Sequence, residues 1–182
     1  TFVGAVVGFP QLWRLVRTRN VEGLSLVAWQ WILVMNVVWF AHGVRIDQPP
    51  QLVVNSIGAC ATVPILVLLS RAVGRRLWQV VLPSLVAAAV IIAIDHFLGS
   101  AAFGLAAIVP GIGSTVGQTI ELVRAPHVRG LSALFMVLAF VNQALWTTWA
   151  FLIGDPGSVI TAVTMSLLTG ANLVWYGARR LG

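Results

Sequence analysis

Residues 8–26 read GFPQLWRLVRTRNVEGLSL, and residues 115–133 read TVGQTIELVRAPHVRGLSA. At a constant offset of 107 positions, Gln11 falls on Gln118, Leu15 on Leu122, Val16 on Val123, Arg17 on Arg124, Val21 on Val128, and Gly23-Leu24-Ser25 on Gly130-Leu131-Ser132. Eight of nineteen positions agree. Self-similarity at a fixed period marks a duplicated unit, and overlooking it would misread the whole fold. In both copies an apolar run closes on arginines, and a Gly-Leu-Ser then opens the next apolar run. Serine is a favoured N-cap because its oxygen takes an otherwise unpaired amide, and glycine permits a tight turn before it.

The chain of 182 residues is 59% hydrophobic and only 9% charged, with a mean hydropathy of +0.95. Soluble domains carry about 25% charged residues. So much apolar surface cannot be hidden from water, and part of the solvent must be lipid. The net charge of +6 does not point to nucleic acid. Its arginines lie between apolar runs, as topology signals do, and not along one face. Cys60 stands alone within an apolar run, where packing is its expected role, so no disulfide framework is available. His42, His96 and His127 share no metal-ligand spacing. No cofactor, metal or catalytic constellation is expected, and the reading is not that of an enzyme.

Apolar segments fall at about 1–16, 25–44, 50–70, 77–97, 101–123, 132–153 and 157–177. Most reach the roughly 20 residues a membrane-spanning helix needs. Seven spans are expected. The first is short and opens without an initiator Met, which predicts that further residues precede it. A signal peptide would place its positive charges before the apolar core, whereas Arg14, Arg17 and Arg19 follow it. With the N-terminus outside, every arginine except Arg45 falls on the inner side, and Asp47, Asp95 and Asp155 fall outside. That bias predicts an outer N-terminus and a cytoplasmic C-terminus.

Duplication and topology combine into one architecture. Residues 1–71 form a first three-helix repeat, 72–100 a linker helix, and 101–182 a second repeat. The expected fold is an all-α membrane protein of seven transmembrane helices, two parallel-oriented three-helix bundles in a 3+1+3 order. An odd number of helices would invert the second unit, and the linker crossing restores its orientation. Pro10 in the first segment deletes a backbone hydrogen bond, and Gln11 beside it is costly in hydrocarbon. Their counterparts are Gly117 and Gln118, with Pro110 about two turns earlier. These five positions are candidate hinges.

FPQLWRLVRTRNVEGLS, followed by an apolar helix with Trp39, then Pro49-Pro50, Asn55 and Gly58, resembles the PQ-loop (MtN3/saliva) superfamily. Within it, the bacterial SemiSWEET and SWEET sugar transporters are the nearest likeness. The resemblance implies a facilitative carrier of mono- or disaccharides, working by alternating access in the bacterial inner membrane. The bilayer and the sugar are then its partners, and one copy suffices for a pore.

Trp39 and Asn55 lie on either side of the turn between the second and third segments, each about 6–8 Å from the same end by helical rise. An indole covers an apolar sugar face, and an amide bonds hydroxyls. The resemblance carries a substrate-binding role to both. The second repeat keeps Trp146 but places Ala162 opposite Asn55, a departure from the SWEET pattern. Gln143, Asn142 or Asn172 could supply the missing amide. At the mouth, His42, Arg45 and Asp47, with Asp155 of the second repeat, form a candidate outer gate. Arg45 is expected to meet Asp155, or locally Asp47. The alternatives are a proton-coupled amino-acid carrier, a vitamin or nucleoside carrier of the same architecture, and a non-transporting membrane scaffold.

Overall fold

A computed structural model describes residues 13, 17, 24–124 and 133–181. Among the described residues the chain forms six helices and no strand. They are α1 (Leu26–Arg45), α2 (Pro49–Ala72), α3 (Leu77–Leu98), α4 (Ser100–Arg124), α5 (Ala133–Ile153) and α6 (Pro156–Leu181). Five of them are long and apolar enough to cross a membrane; in α4 the apolar stretch is the shorter Ser100–Val116. The molecule is all-helical, with the make-up of a multi-pass membrane protein. Six of the expected segments appear within a few residues of their sequence bounds. The first, with Pro10 and Gln11, lies outside the described residues, so the described fold has six helices and not the seven of a 3+1+3 order.

Burial is distributed for lipid rather than water. Val86 and Val90 of α3, Leu105 of α4, and Leu167 and Val174 of α6 are all more than half exposed. Meanwhile His42, Gln51, Thr62, Asp95 and Thr161 are almost wholly buried. A soluble protein would show the reverse. Polar groups facing hydrocarbon have no partners, so they collect where helices meet. Cys60 sits on the exposed surface rather than in packing. Trp29 packs against Ile65 and Leu69 of α2.

Local sequence sets the helix ends. Ser25 caps α1, its Oγ accepting from the Ala28 amide at 3.2 Å. Pro49 and Pro156 occupy the first position of α2 and α6, where a missing N–H costs nothing and the fixed φ suits a helix. Asp155 caps α6, its Oδ2 accepting from the Ser158 amide at 2.7 Å. The helices α5 and α6 begin 107 residues after α1 and α2, so the offset read from the opening motif persists through two further helices.

Around α1 pack α2, α3 and α4, while α6 lies against both α4 and α5. Val34 and Val38 of α1, Ala88 and Ile91 of α3, and Phe103 and Ala107 of α4 form a shared core. Gln30 of α1 donates to the Val80 carbonyl of α3 at 2.6 Å, tying α3 to the first half. The α4–α6 contact is built on small residues, which let backbones approach closely in a bilayer. A Cβ on Gly104 would lie 2.7 Å from the Gly157 Cα, and Thr161 Oγ1 donates to the Gly104 carbonyl at 2.8 Å.

Of the candidate hinges, Pro110 lies inside α4 and is buried. Gly117 and Gln118 lie further along α4, their side chains outside the described set. Two other prolines, Pro64 in α2 and Pro83 in α3, also interrupt helices. The bundle has two chemically distinct ends. Asp95, Asp155 and Arg45 meet at one, where α1 and α5 both stop. Arginines mark the other, where Arg179 Nη1 donates to the Leu122 carbonyl at 2.7 Å.

Candidate functional site

A cavity of about 270 Å³ opens between the halves, lined by α1, α2, α4, α5 and α6. Trp39, Asn55, Trp146 and Ala162 stand on its wall, as do two of the three alternative amides, Asn142 and Gln143. Most of that wall is made of repeat-equivalent positions, 107 residues apart. On α1 and α5 these are Met35 with Asn142, Asn36 with Gln143, and Trp39 with Trp146. On α2 and α6 they are Gln51 with Ser158, Val54 with Thr161, Asn55 with Ala162, and Gly58 with Met165. The two halves therefore present the same helical faces to one space.

Side-chain chemistry within those pairs is not symmetric. The first half contributes three amides, Asn36, Gln51 and Asn55. The second lacks an amide at Ala162 but adds Asn142, Ser158 and Thr161. Asn172 does not compensate: it is buried away from the cavity and donates to Thr119 Oγ1 at 2.9 Å. Asn142 and Gln143 both reach the wall, which helical periodicity could not decide. Gln51, Ser158 and Thr161 were not singled out from sequence. The 107-residue offset was the available signal, since applying it to α2 yields the α6 positions.

Several of these groups are held in place. Asn36 Nδ2 donates to Ile32 O at 2.9 Å and to Thr62 Oγ1 at 3.3 Å, and its amide packs against the bare backbone of Gly58. Asn55 Nδ2 donates to Gln51 O at 2.8 Å, leaving its carbonyl oxygen to face elsewhere. Gln51 Oε1 is buried without a hydrogen-bond partner among the described residues. Among the described residues the wall holds no charged side chain.

The cavity is joined to the aspartate end through Trp39. Its ring meets His42 edge-on at 5.6 Å and Phe103 edge-on at 5.0 Å, and His42 stacks on Phe103 at 4.1 Å. His42 Nδ1 lies 2.8 Å from Asp95 Oδ2, and Nε2 lies 2.9 Å from Asp155 Oδ2. Arg45 Nη2 approaches Asp95 Oδ1 at 2.9 Å, a charge contact without hydrogen-bond alignment. The expected pairing of Arg45 with Asp155 or Asp47 is thus corrected. Arg45 meets the Asp95 carboxylate of α3, and Asp155 is taken by His42. The physical reason is reach: α3 packs directly on α1 and delivers Asp95 beside Arg45. Asp47 occupies the turn after α1 with φ of 51°, a conformation aspartate tolerates better than most residues.

Asp155 also receives the Ser100 hydroxyl, and Ser100 Oγ accepts from the Gly157 amide at 2.9 Å. Burial alone would raise the Asp155 pKa, but hydrogen bonds from Ser100, His42 and Ser158 outweigh it and bring it from 3.8 down to about 2. A carboxyl depressed on folding stabilises the native state above its unfolded pKa, and that contribution disappears as pH falls through the folded value. The expected result is a thermal unfolding temperature that drops between about pH 4 and pH 2. Asp155→Asn should flatten that part of the pH profile; an unchanged slope would mean that Asp155 is not its source.

No protein-family model, curated protein or solved structure matches the chain.

Proposed function

We propose that the protein is a membrane carrier for small neutral polyhydroxylated solutes, sugars of the mono- or disaccharide class, of the PQ-loop and SWEET kind. Its two halves move against each other around the central cavity. One observation carries this reading: equivalent positions of two repeats converge on a single space, lined by indoles, amides and hydroxyls and free of charged side chains among the described residues. Tryptophan faces suit the C–H surface of a sugar ring. Amides and hydroxyls offer both donors and acceptors to its hydroxyl groups.

The architecture this reading takes from the sequence is 3+1+3, with α3 as the linker between the two repeats. The arginine end then faces the cytoplasm, and the aspartate end faces out. Transport is facilitative, because among the described residues the cavity wall offers no ionisable group of the kind a proton relay requires. The same feature disfavours an amino-acid carrier, whose substrate would bring an ammonium and a carboxylate into a wall with no counter-charge.

Uptake of radiolabelled sugars into liposomes tests the reading. Trp39→Ala and Asn55→Ala are each expected to slow uptake about tenfold, the equivalent of roughly 1.4 kcal/mol. Uptake unaffected by both substitutions would remove the binding role of the cavity. The absence of uptake for every sugar in a broad panel would favour the scaffold alternative.

A further inference from the structure

We propose that His42, Asp95 and Asp155 form a proton-binding site, loaded with one proton when the aspartate end closes around the imidazole. Proton counting carries the inference. A neutral imidazole has one N–H donor and one acceptor nitrogen, yet both ring nitrogens here face carboxylate oxygens, at 2.8 and 2.9 Å. Two carboxylate oxygens facing two nitrogens require two bridging protons, one more than a neutral ring carries.

Charge leads to the same count. The groups facing His42 are Asp95 from α3, Asp155 from the α5–α6 connection and Arg45 from its own helix; among the described residues, α2 and α4 bring no titratable side chain to it. With an imidazolium, two cations meet two carboxylates and the buried cluster is neutral. Without it, a net negative charge would be held in a site where His42 is 0% and Asp95 3% exposed, which is costly in apolar surroundings. Asp155 has its own donors in Ser100 and Ser158, and Asp95 faces Arg45, so the added proton resides on the ring.

The site spans the moving parts. His42 belongs to the first half, Asp95 to the linker and Asp155 to the second half, and Trp39 connects it to the cavity wall. When the halves separate, a solvated imidazole is mostly neutral at pH 7 and the proton leaves by the face through which it entered. Closure is therefore proton-linked, while solute movement remains downhill. This linkage rests on the alternating-access reading; the proton count does not.

Two measurements test it separately. Nitrogen NMR of 15N-histidine-labelled protein in lipid nanodiscs, with His96→Gln and His127→Gln leaving His42 alone, is expected to show both ring nitrogens protonated at pH 7. A single-tautomer neutral ring would overturn the site. Spin labels at Val44→Cys and Leu152→Cys, in a Cys60→Ala background, are expected to move apart as the pH rises from about 6 to 9. Asp155→Asn is expected to abolish that dependence. A doubly protonated ring with a pH-independent distance would overturn the linkage. If both results hold while no sugar is taken up, the proton site stands and the sugar-carrier reading fails alone.

Discussion

Replacing His42 by alanine is expected to destabilise the folded protein by about 3–5 kcal/mol, because it combines two costly changes. The ring is 0% exposed and stacked on Phe103 at 4.1 Å, so its removal leaves a hole that close-packed neighbours fill only in part. It also bridges two carboxylates from different elements, and its loss leaves both in a buried pocket without their shared partner. Arg45 provides the internal comparison. Its side chain is 37% exposed and contacts only one of the acids, so Arg45→Ala is expected to cost less than His42→Ala, although it too takes a counter-charge from the buried Asp95. Thermal or denaturant unfolding in detergent measures both. Equal losses would mean that the bridge is energetically ordinary and that the aspartate end is held by packing alone.

The second large effect is expected at Gly104. A Cβ there would lie 2.6 Å from the Gly157 carbonyl oxygen and 2.7 Å from its Cα, and backbone atoms cannot rotate away as a side chain can. To admit even alanine, α4 and α6 must separate. The Thr161 bond to the Gly104 carbonyl and the Gly157 bond to Ser100 would then stretch or break. Gly104→Ala is expected to cost about 1–3 kcal/mol, and Gly104→Val more, as overpacking does where the surroundings cannot yield. Gly177 supplies the opposite case. No described residue lies within 4 Å of a Cβ built there, so Gly177→Ala should be neutral or stabilising by up to about 1 kcal/mol through helix propensity. Because Ser100 also holds Asp155, Gly104→Ala should loosen the aspartate end as well. The same unfolding measurement decides: a neutral Gly104→Ala would show that the α4–α6 approach is slack.

Much of the cavity could be read from the residues before any coordinates. Trp39 and Asn55 were placed at one depth by helical rise across a short turn, and the constant offset carried the pair to Trp146 and Ala162. Helix periodicity says which residues share a face, but not which face meets the cavity. For that reason Asn142, Asn172 and Gln143 stood as equals until α5 and α6 were packed, and only Asn142 and Gln143 reached the wall. Gln51, Ser158 and Thr161 sit near helix starts that resemble ordinary caps in one dimension.

The aspartate end shows the other limit. His42 and Asp155 group at the mouth because His42 follows Trp39 by three residues in the first repeat and Asp155 occupies the corresponding loop of the second. Asp95 was assigned only a place near the outer end of the linker. Nothing in a one-dimensional pattern indicates that α3 packs on α1 with Asp95 turned towards Arg45 and His42.

Sequence alone determined the solvent, the duplication and the helix ends, because hydropathy, an offset of 107 residues and capping residues are properties of short stretches read locally. Tertiary structure alone decided which polar atoms of distant helices meet, since that depends on how whole helices rotate and approach. The contact of His42 with carboxylates 53 and 113 residues away belongs to that second kind.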